Sequence, residues 1–152
     1  KFVIGEVMLI YLDNCCYNRP YDDQSYMRIN LETQAKLHIQ EQIKNDVYQL
    51  AASFILIYEN ECNPYVARRT SISTYLGDNV SEYVGEEGKA EVIKTAEDIM
   101  KTGIKMKDSY HLASAIYLNA DYFITTDDRV KKYSTDRIKI VDPIEFIKQE
   151  EE

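Results

Sequence analysis

The sequence lacks several common signatures. There is no Cys-x-x-Cys pair, and the cysteines, Cys15, Cys16 and Cys62, are odd in number. Both facts argue against a disulfide framework and a structural zinc site, and they point to a reducing, cytoplasmic setting. Free cysteines of this kind read as small buried apolar residues rather than nucleophiles. Histidine occurs only at His38 and His111, too few for a His-rich metal site. The longest apolar runs, such as Phe54 to Ile57, are far too short to cross a bilayer, so no membrane partner is expected. No charged-apolar-small leader pattern opens the chain. No Gly-rich phosphate loop, no Ser–His–Asp spacing and no internal repeat is visible.

What is present suits one soluble globular domain. The 152 residues are 45% hydrophobic and 29% charged, enough to bury a core. Residues 8–148 are expected to form that domain. Residues 1–7 read as an N-terminal extension, and 149–152 as a disordered acidic tail. The net charge of −8 is unexpected for a protein that meets phosphates. Its distribution is uneven, however. Residues 101–139 hold eight Lys or Arg against five Asp. Lys105, Lys107 and Lys131 are therefore candidate substrate contacts.

Patterning gives an alternating order of strands and helices. Met8–Leu12, Val47–Ala52, Val80–Val84, Ala120–Thr125 and Ile138–Val141 read as strands. Helices are expected over about 25–45, from Ser53 to near Pro64, over 65–75 with Gly77 as the stop, and over 89–101 and 108–118. Shorter helices follow over 127–133 and 143–147. Asn14 to Asp23 reads as a loop. The order predicts an α/β fold, a three-layer α/β/α sandwich around a mostly parallel sheet. Ligands of such folds bind beyond the carboxyl ends of the strands, where Asp13 and Asp127 fall.

Four acids abut segments that must be buried. Asp13 follows Met8-Leu9-Ile10-Tyr11-Leu12, and Glu59 ends the apolar helix run Phe54 to Tyr58. Asp108 precedes Ser109-Tyr110-His111-Leu112-Ala113-Ser114-Ala115, and Asp127 follows Tyr122-Phe123-Ile124-Thr125-Thr126. Singly, Asp108 reads as a helix cap and Asp127 as another. Together, carboxylates with no His or Cys among them suit Mg²⁺ or Mn²⁺. Such an ion lowers the pKa of bound water and stabilises charge on a phosphate in transfer.

The residues Leu12-Asp13-Asn14, Ser53, Glu59-Asn60, Asp108 through Ala115 and Thr125-Thr126-Asp127 resemble the PIN-domain family, to which the VapC-type toxin ribonucleases belong. The likeness runs from about Met8 to Ile147. It implies a PIN-like fold and metal-dependent cleavage of RNA. Asp13, Glu59, Asp108 and Asp127 would be the catalytic metal ligands. Thr125 would orient Asp127, and Asn14 would assist the shell of the metal. Asp128 competes with Asp127 as the fourth acid. His111 reads either as a phosphate contact or as a packed core residue, and Tyr17 and Tyr21 as base-stacking partners. The run Glu59 to Pro64 departs from the short toxins of the family. The expected partners are RNA, a second copy of the chain and an antitoxin protein. The alternatives are a related DNA nuclease and a non-catalytic binding module on the same fold.

Overall fold

The computed structural model describes residues 6–152, so the first five residues of the expected extension lie outside the described part. Strand β1, Leu9–Leu12, is buried along its whole length. Its alternation sends Leu9 and Tyr11 to one face of the sheet and Ile10 and Leu12 to the other. Helix α1, Asn14–Asn18, follows at once and leads into a 3-10 turn at Arg19–Tyr21. A loop was expected there. The Asp13 side chain makes the difference, since it caps the first turn by accepting the Asn14 N–H.

Helix α2, Met27–Lys44, buries Ala35, Ile39 and Ile43 and leaves Leu37 exposed. Strand β2, Gln49–Ser53, leads directly into α3, Phe54–Glu61, capped as anticipated by Ser53. Helix α4, Val66–Asn79, runs through Gly77 instead of stopping there. Gly77 has open space around it, and burial of Ile72 and Leu76 outweighs the roughly 1 kcal/mol that a helical glycine costs. Strand β3, Val80–Val84, starts where α4 ends. Helix α5, Lys89–Met100, buries Val92, Ala96 and Ile99 but leaves Met100 exposed.

Helix α6, Met106–Tyr117, begins two residues before Asp108. Asp108 is therefore an acid within the first turn, where it meets the positive end of the helix dipole, and not the cap. Gly88 allows α6 its approach, because a Cβ there would meet the Tyr117 ring and Val84 at 2.6 Å. Strand β4, Tyr122–Ile124, helix α7, Asp128–Lys131, strand β5, Lys139–Val141, and helix α8, Pro143–Glu151, complete the chain. The acidic tail is helical up to Glu151 and not disordered. His38 and Tyr48 bind Glu151, and Tyr122 binds Gln149 and Glu150.

The five strands are all parallel in the order β3-β2-β1-β4-β5. One apolar layer joins α1, α2, α4 and α8 to the sheet through Tyr17, Ile39, Leu76 and Phe146. The other joins α5, α6 and α7 through Val92, Leu112 and Val130. The expected three-layer α/β/α architecture is thus present. Chain order runs outward from β1 to β3 on one side and from β4 to β5 on the other. The switch point lies between β1 and β4, and in open α/β sheets ligands bind at the carboxyl ends of the strands beside such a point. No described helix is long and apolar enough to cross a membrane.

Candidate active site

Asp13 leaves β1 at the switch point, and its N–H extends the ladder to Ile124 O (2.9 Å). Its side chain is buried and carries three donors. The Asn14 N–H reaches Oδ1 at 2.8 Å, the Thr125 hydroxyl reaches Oδ2 at 2.8 Å, and the Cys15 thiol reaches Oδ2 at 3.5 Å. Each carboxylate oxygen keeps lone-pair capacity beyond these bonds. Thr125 also accepts the Asp127 N–H at 3.1 Å. One hydroxyl thereby joins the ends of β1 and β4. It orients the Asp13 side chain and holds Asp127 by its backbone.

The pair Asp127-Asp128 divides its work. Arg28, from α2, takes Asp128 with two bonds of 2.9 and 2.8 Å and also reaches the Thr126 carbonyl. That pairing holds the Asp128 carboxyl below its ordinary pKa. Asp127 caps α7 by accepting the Arg129 N–H (2.9 Å), and it acts electrostatically on Asp108.

Glu59, on α3, meets His111, on α6, through a short hydrogen bond to Nε2. His111 Nδ1 lies 2.7 Å from the Tyr11 hydroxyl, which lies 2.6 Å from Ser53 Oγ. Tyr11 is itself fixed by stacking on Phe123. Burial pushes the His111 pKa down. The Glu59 hydrogen bond, with Asp13, Glu59 and Asp108 around it, more than reverses this, and the net shift is upward. A protonated ring donates from both nitrogens, which suits an acceptor on each side. At 1% exposure His111 is a packed core residue and no phosphate contact.

Asp108 is the half-buried member of the cluster. Burial raises its pKa to about 6, with Asp13, Asp127 and Glu59 adding repulsion and His111 opposing it. Asp13, Asp127 and Glu59, expected from the sequence, are each near enough to act on Asp108. The donor set fits a hard divalent cation in type, all carboxylate oxygen, and in charge, since Asp108 feels an excess of negative neighbours. Among the described residues, no three His, Cys, Asp or Glu side chains close around a single point as a metal would require. Glu59 is turned towards His111 instead.

The remaining expected residues fall in different places. Asn14 sits beside Asp13, with its side-chain oxygen accepting from Asn18. Lys107 is exposed, and its Nζ is 3.9 Å from Glu59 Oε2. Lys105 is exposed at the N-terminus of α6. The ammonium of Lys131 is taken by Asp142 at 2.8 Å and Glu145 at 3.2 Å. Tyr17 is buried in the core and offers no stacking face, whereas Tyr21 is exposed. Sequence reasoning missed Tyr11, Cys15 and Arg28. Cys15 and Tyr11 carried a faint signal by flanking Asp13, and Arg28 carried none. A depression of about 810 Å³, lined in part by Asp121, Arg137 and Lys139, lies along β5 and the start of β4, and none of the four acids lines it.

No protein-family model matches the chain, and no curated protein matches it. Among solved structures, a chain of the crystal structure of VapBC2 from Rickettsia felis, bound to a DNA fragment from their promoter, is similar to it. The TM-score is 0.51 at 19% sequence identity, covering 88% of this chain and 97% of that chain. The likeness establishes the fold as one shared with that structure and agrees with the PIN-like architecture.

Proposed function

We propose that this chain is a metal-dependent endoribonuclease that cleaves RNA phosphodiester bonds at the Asp13–Glu59–Asp108–Asp127 cluster. One observation carries the reading. Asp13 and Asp127 follow the adjacent strands β1 and β4, and burial, reinforced by the charges of Asp13, Asp127 and Glu59, raises Asp108 to about 6. The fold shared with VapBC2 supports it.

In this reading the four carboxylates would hold Mg²⁺ or Mn²⁺. The bound ion would supply an activated water and charge stabilisation at the phosphate. The chain's own groups prepare the place. Thr125 fixes the rotamer of Asp13, and Arg28 withdraws Asp128 so that Asp127 alone serves the cluster. His111 holds Glu59 and offsets part of the negative charge from below. Lys107, beside Glu59 at the surface, lies where it can meet an RNA phosphate. A narrower reading, a toxin held by a protein antitoxin, draws on the VapBC2 likeness alone.

The test is incubation of purified protein with defined RNAs and DNAs in Mg²⁺, Mn²⁺ or EDTA. RNA should be cut in either metal and spared in EDTA. Asp13→Asn should reduce the rate by at least about 100-fold, the scale expected when electrostatic stabilisation of a transition state is lost. Cleavage of DNA alone would favour the related DNA nuclease. Wild-type rates in both Asp13→Asn and Asp108→Asn would place the chemistry elsewhere.

A further inference from the structure

Arg68, on the first turn of α4, lies over two tyrosine rings. Its guanidinium carbon is 4.6 Å from the ring centroid of Tyr21 and 4.4 Å from that of Tyr65. Tyr21 and Tyr65 are 45% and 60% exposed. Among the described residues Arg68 forms no ion pair and no side-chain hydrogen bond, and its buried Nε has no acceptor. The other arginines near it are committed. Arg19 and Arg28 share the buried Glu32, and Arg69 donates to the Asn63 carbonyl. The segment from Cys62 to Gly77 contains Arg68 and Arg69 and no Asp or Glu, within a chain of net charge −8.

A guanidinium over two aromatic rings is held near both by cation–π attraction. Its planar fork of donors then matches a phosphate, and here the protein supplies no acceptor for it. The exposed tyrosines beside it offer what a phosphate site alone would not, a surface on which a base can stack.

The position is also suitable. Asn63 Nδ2 donates to Asn18 Oδ1 at 3.2 Å, tying the loop before α4 to α1. Asp13 caps the other end of α1, and Tyr21 ends the 3-10 turn that follows it. The path from Asp13 to Tyr21 rises roughly 12–16 Å at helical spacing. That is about four stacked nucleotides at 3.4 Å each.

We propose that the Tyr21–Arg68–Tyr65 stack is a subsite for an unpaired nucleotide of single-stranded RNA. The phosphate lies on the free edge of Arg68 and the base against an exposed tyrosine, a few nucleotides from the acid cluster. The inference rests on the ribonuclease reading and narrows its substrate to strands with unpaired bases. A duplex keeps its base faces stacked within the helix and gains nothing from the tyrosines.

The experiment is fluorescence anisotropy of a labelled single-stranded RNA and of a blunt RNA duplex, both in EDTA so that neither is cut. Arg68→Gln should weaken single-strand binding about tenfold and reduce its salt slope by about one. Arg68→Lys should restore the slope but not the full affinity. Tyr65→Leu should weaken binding about five- to tenfold at an unchanged slope, as loss of stacking alone does. Duplex binding should be insensitive to Tyr65→Leu. Thermal melts check that each variant is folded, and the changes at the half-buried Arg68 stand if Tyr65→Leu does not fold. Wild-type affinity in Arg68→Gln, equal loss on the duplex, or no single-strand binding by the wild type would overturn the proposal. Stronger competition by a poly-glutamate peptide than by unlabelled RNA would mark a protein-docking surface and overturn it too. Cleavage in Mn²⁺ is scored separately. Binding through Arg68 without cleavage sinks only the nuclease reading, and cleavage with Arg68-independent binding sinks only this one.

Discussion

Two cations are buried on opposite faces of the same sheet, and they behave in opposite ways. His111 is 1% exposed and has Glu59, Asp13 and Asp108 around it. Lys36 on α2 is 4% exposed, and among the described residues no carboxylate pairs with it. Its Nζ lies 5.4 Å from the Tyr17 ring centroid, and the Tyr17 hydroxyl is itself buried without a partner. Burial favours the neutral form of both groups. For His111 the acids reverse that pressure. For Lys36 nothing does beyond a weak contribution from Cys16, and its pKa falls to about 8. The sign of a buried titration thus depends on the neighbours, not on depth.

The largest expected effect comes from removing the favoured cation. His111→Leu removes the hydrogen-bond partner of Glu59, leaving it only the exposed Lys107, and strips the Tyr11 hydroxyl of a partner, which should cost about 3 kcal/mol in urea unfolding. Because the folded pKa of His111 is raised, its contribution is full below about pH 6.5 and declines as pH rises through the folded value. A variant as stable as wild type at pH 6 would break the comparison.

Lys36→Met should act in the other direction. It keeps the stem packed and removes a poorly solvated charge, so it should stabilise the protein by about 2 kcal/mol at pH 7. A lowered folded pKa means that the unfolded state holds more protons between about pH 8 and 10.5. Wild-type stability therefore rises over that window, and the advantage of the variant shrinks with it. Destabilisation by Lys36→Met would mean that the ammonium serves a partner.

Asp108→Asn gives the smallest shift and the sharpest test of the cluster. Without metal at pH 7 it should stabilise by about 1 kcal/mol, once solvent screening of this half-exposed group is allowed for. The raised pKa of Asp108 means that wild-type stability is lost as pH climbs from about 4 to about 6, so the two proteins should converge near pH 4. Mn²⁺ should stabilise wild type much more than the variant. Thermal melts in EDTA and in Mn²⁺ measure all of this. No gain from Mn²⁺ in wild type would remove the metal from the proposal.

The sheet was legible because its strands are short apolar runs bounded by turns, and all five were placed within a few residues. Helix ends were less so. Gly77 looks like a stop, but α4, anchored by Ile72 and Leu76 one turn apart on its buried face, runs on to Asn79. The four acids stood out because each follows or precedes a segment that cannot face water. Their supporting groups did not, since Arg28 reaches Asp128 across 100 residues and an exposed helical arginine looks like any other. The count of positive charge also misled. Residues 101–139 are rich in Lys and Arg, yet Lys131 is spent on Asp142 and Glu145, while Arg68, which forms no ion pair among the described residues, lies in a segment with only one other basic residue. Sequence counts charges, and only structure shows which of them are already neutralised.

The pairing of β1 with β4 has a consequence in time. Leu12 finds Ile124 across more than a hundred residues, and Asp13 waits for the Thr125 hydroxyl over the same distance. Contacts this remote in sequence form late, because a long loop must close before they repay its entropy. During synthesis from the N-terminus, Asp13, Glu59 and Asp108 all emerge before the strand that organises them. A ribosome-bound chain that has not yet released β4 holds most of the acids and none of their final arrangement. In the proposed ribonuclease, activity would then arrive in one step, when β4 joins the sheet.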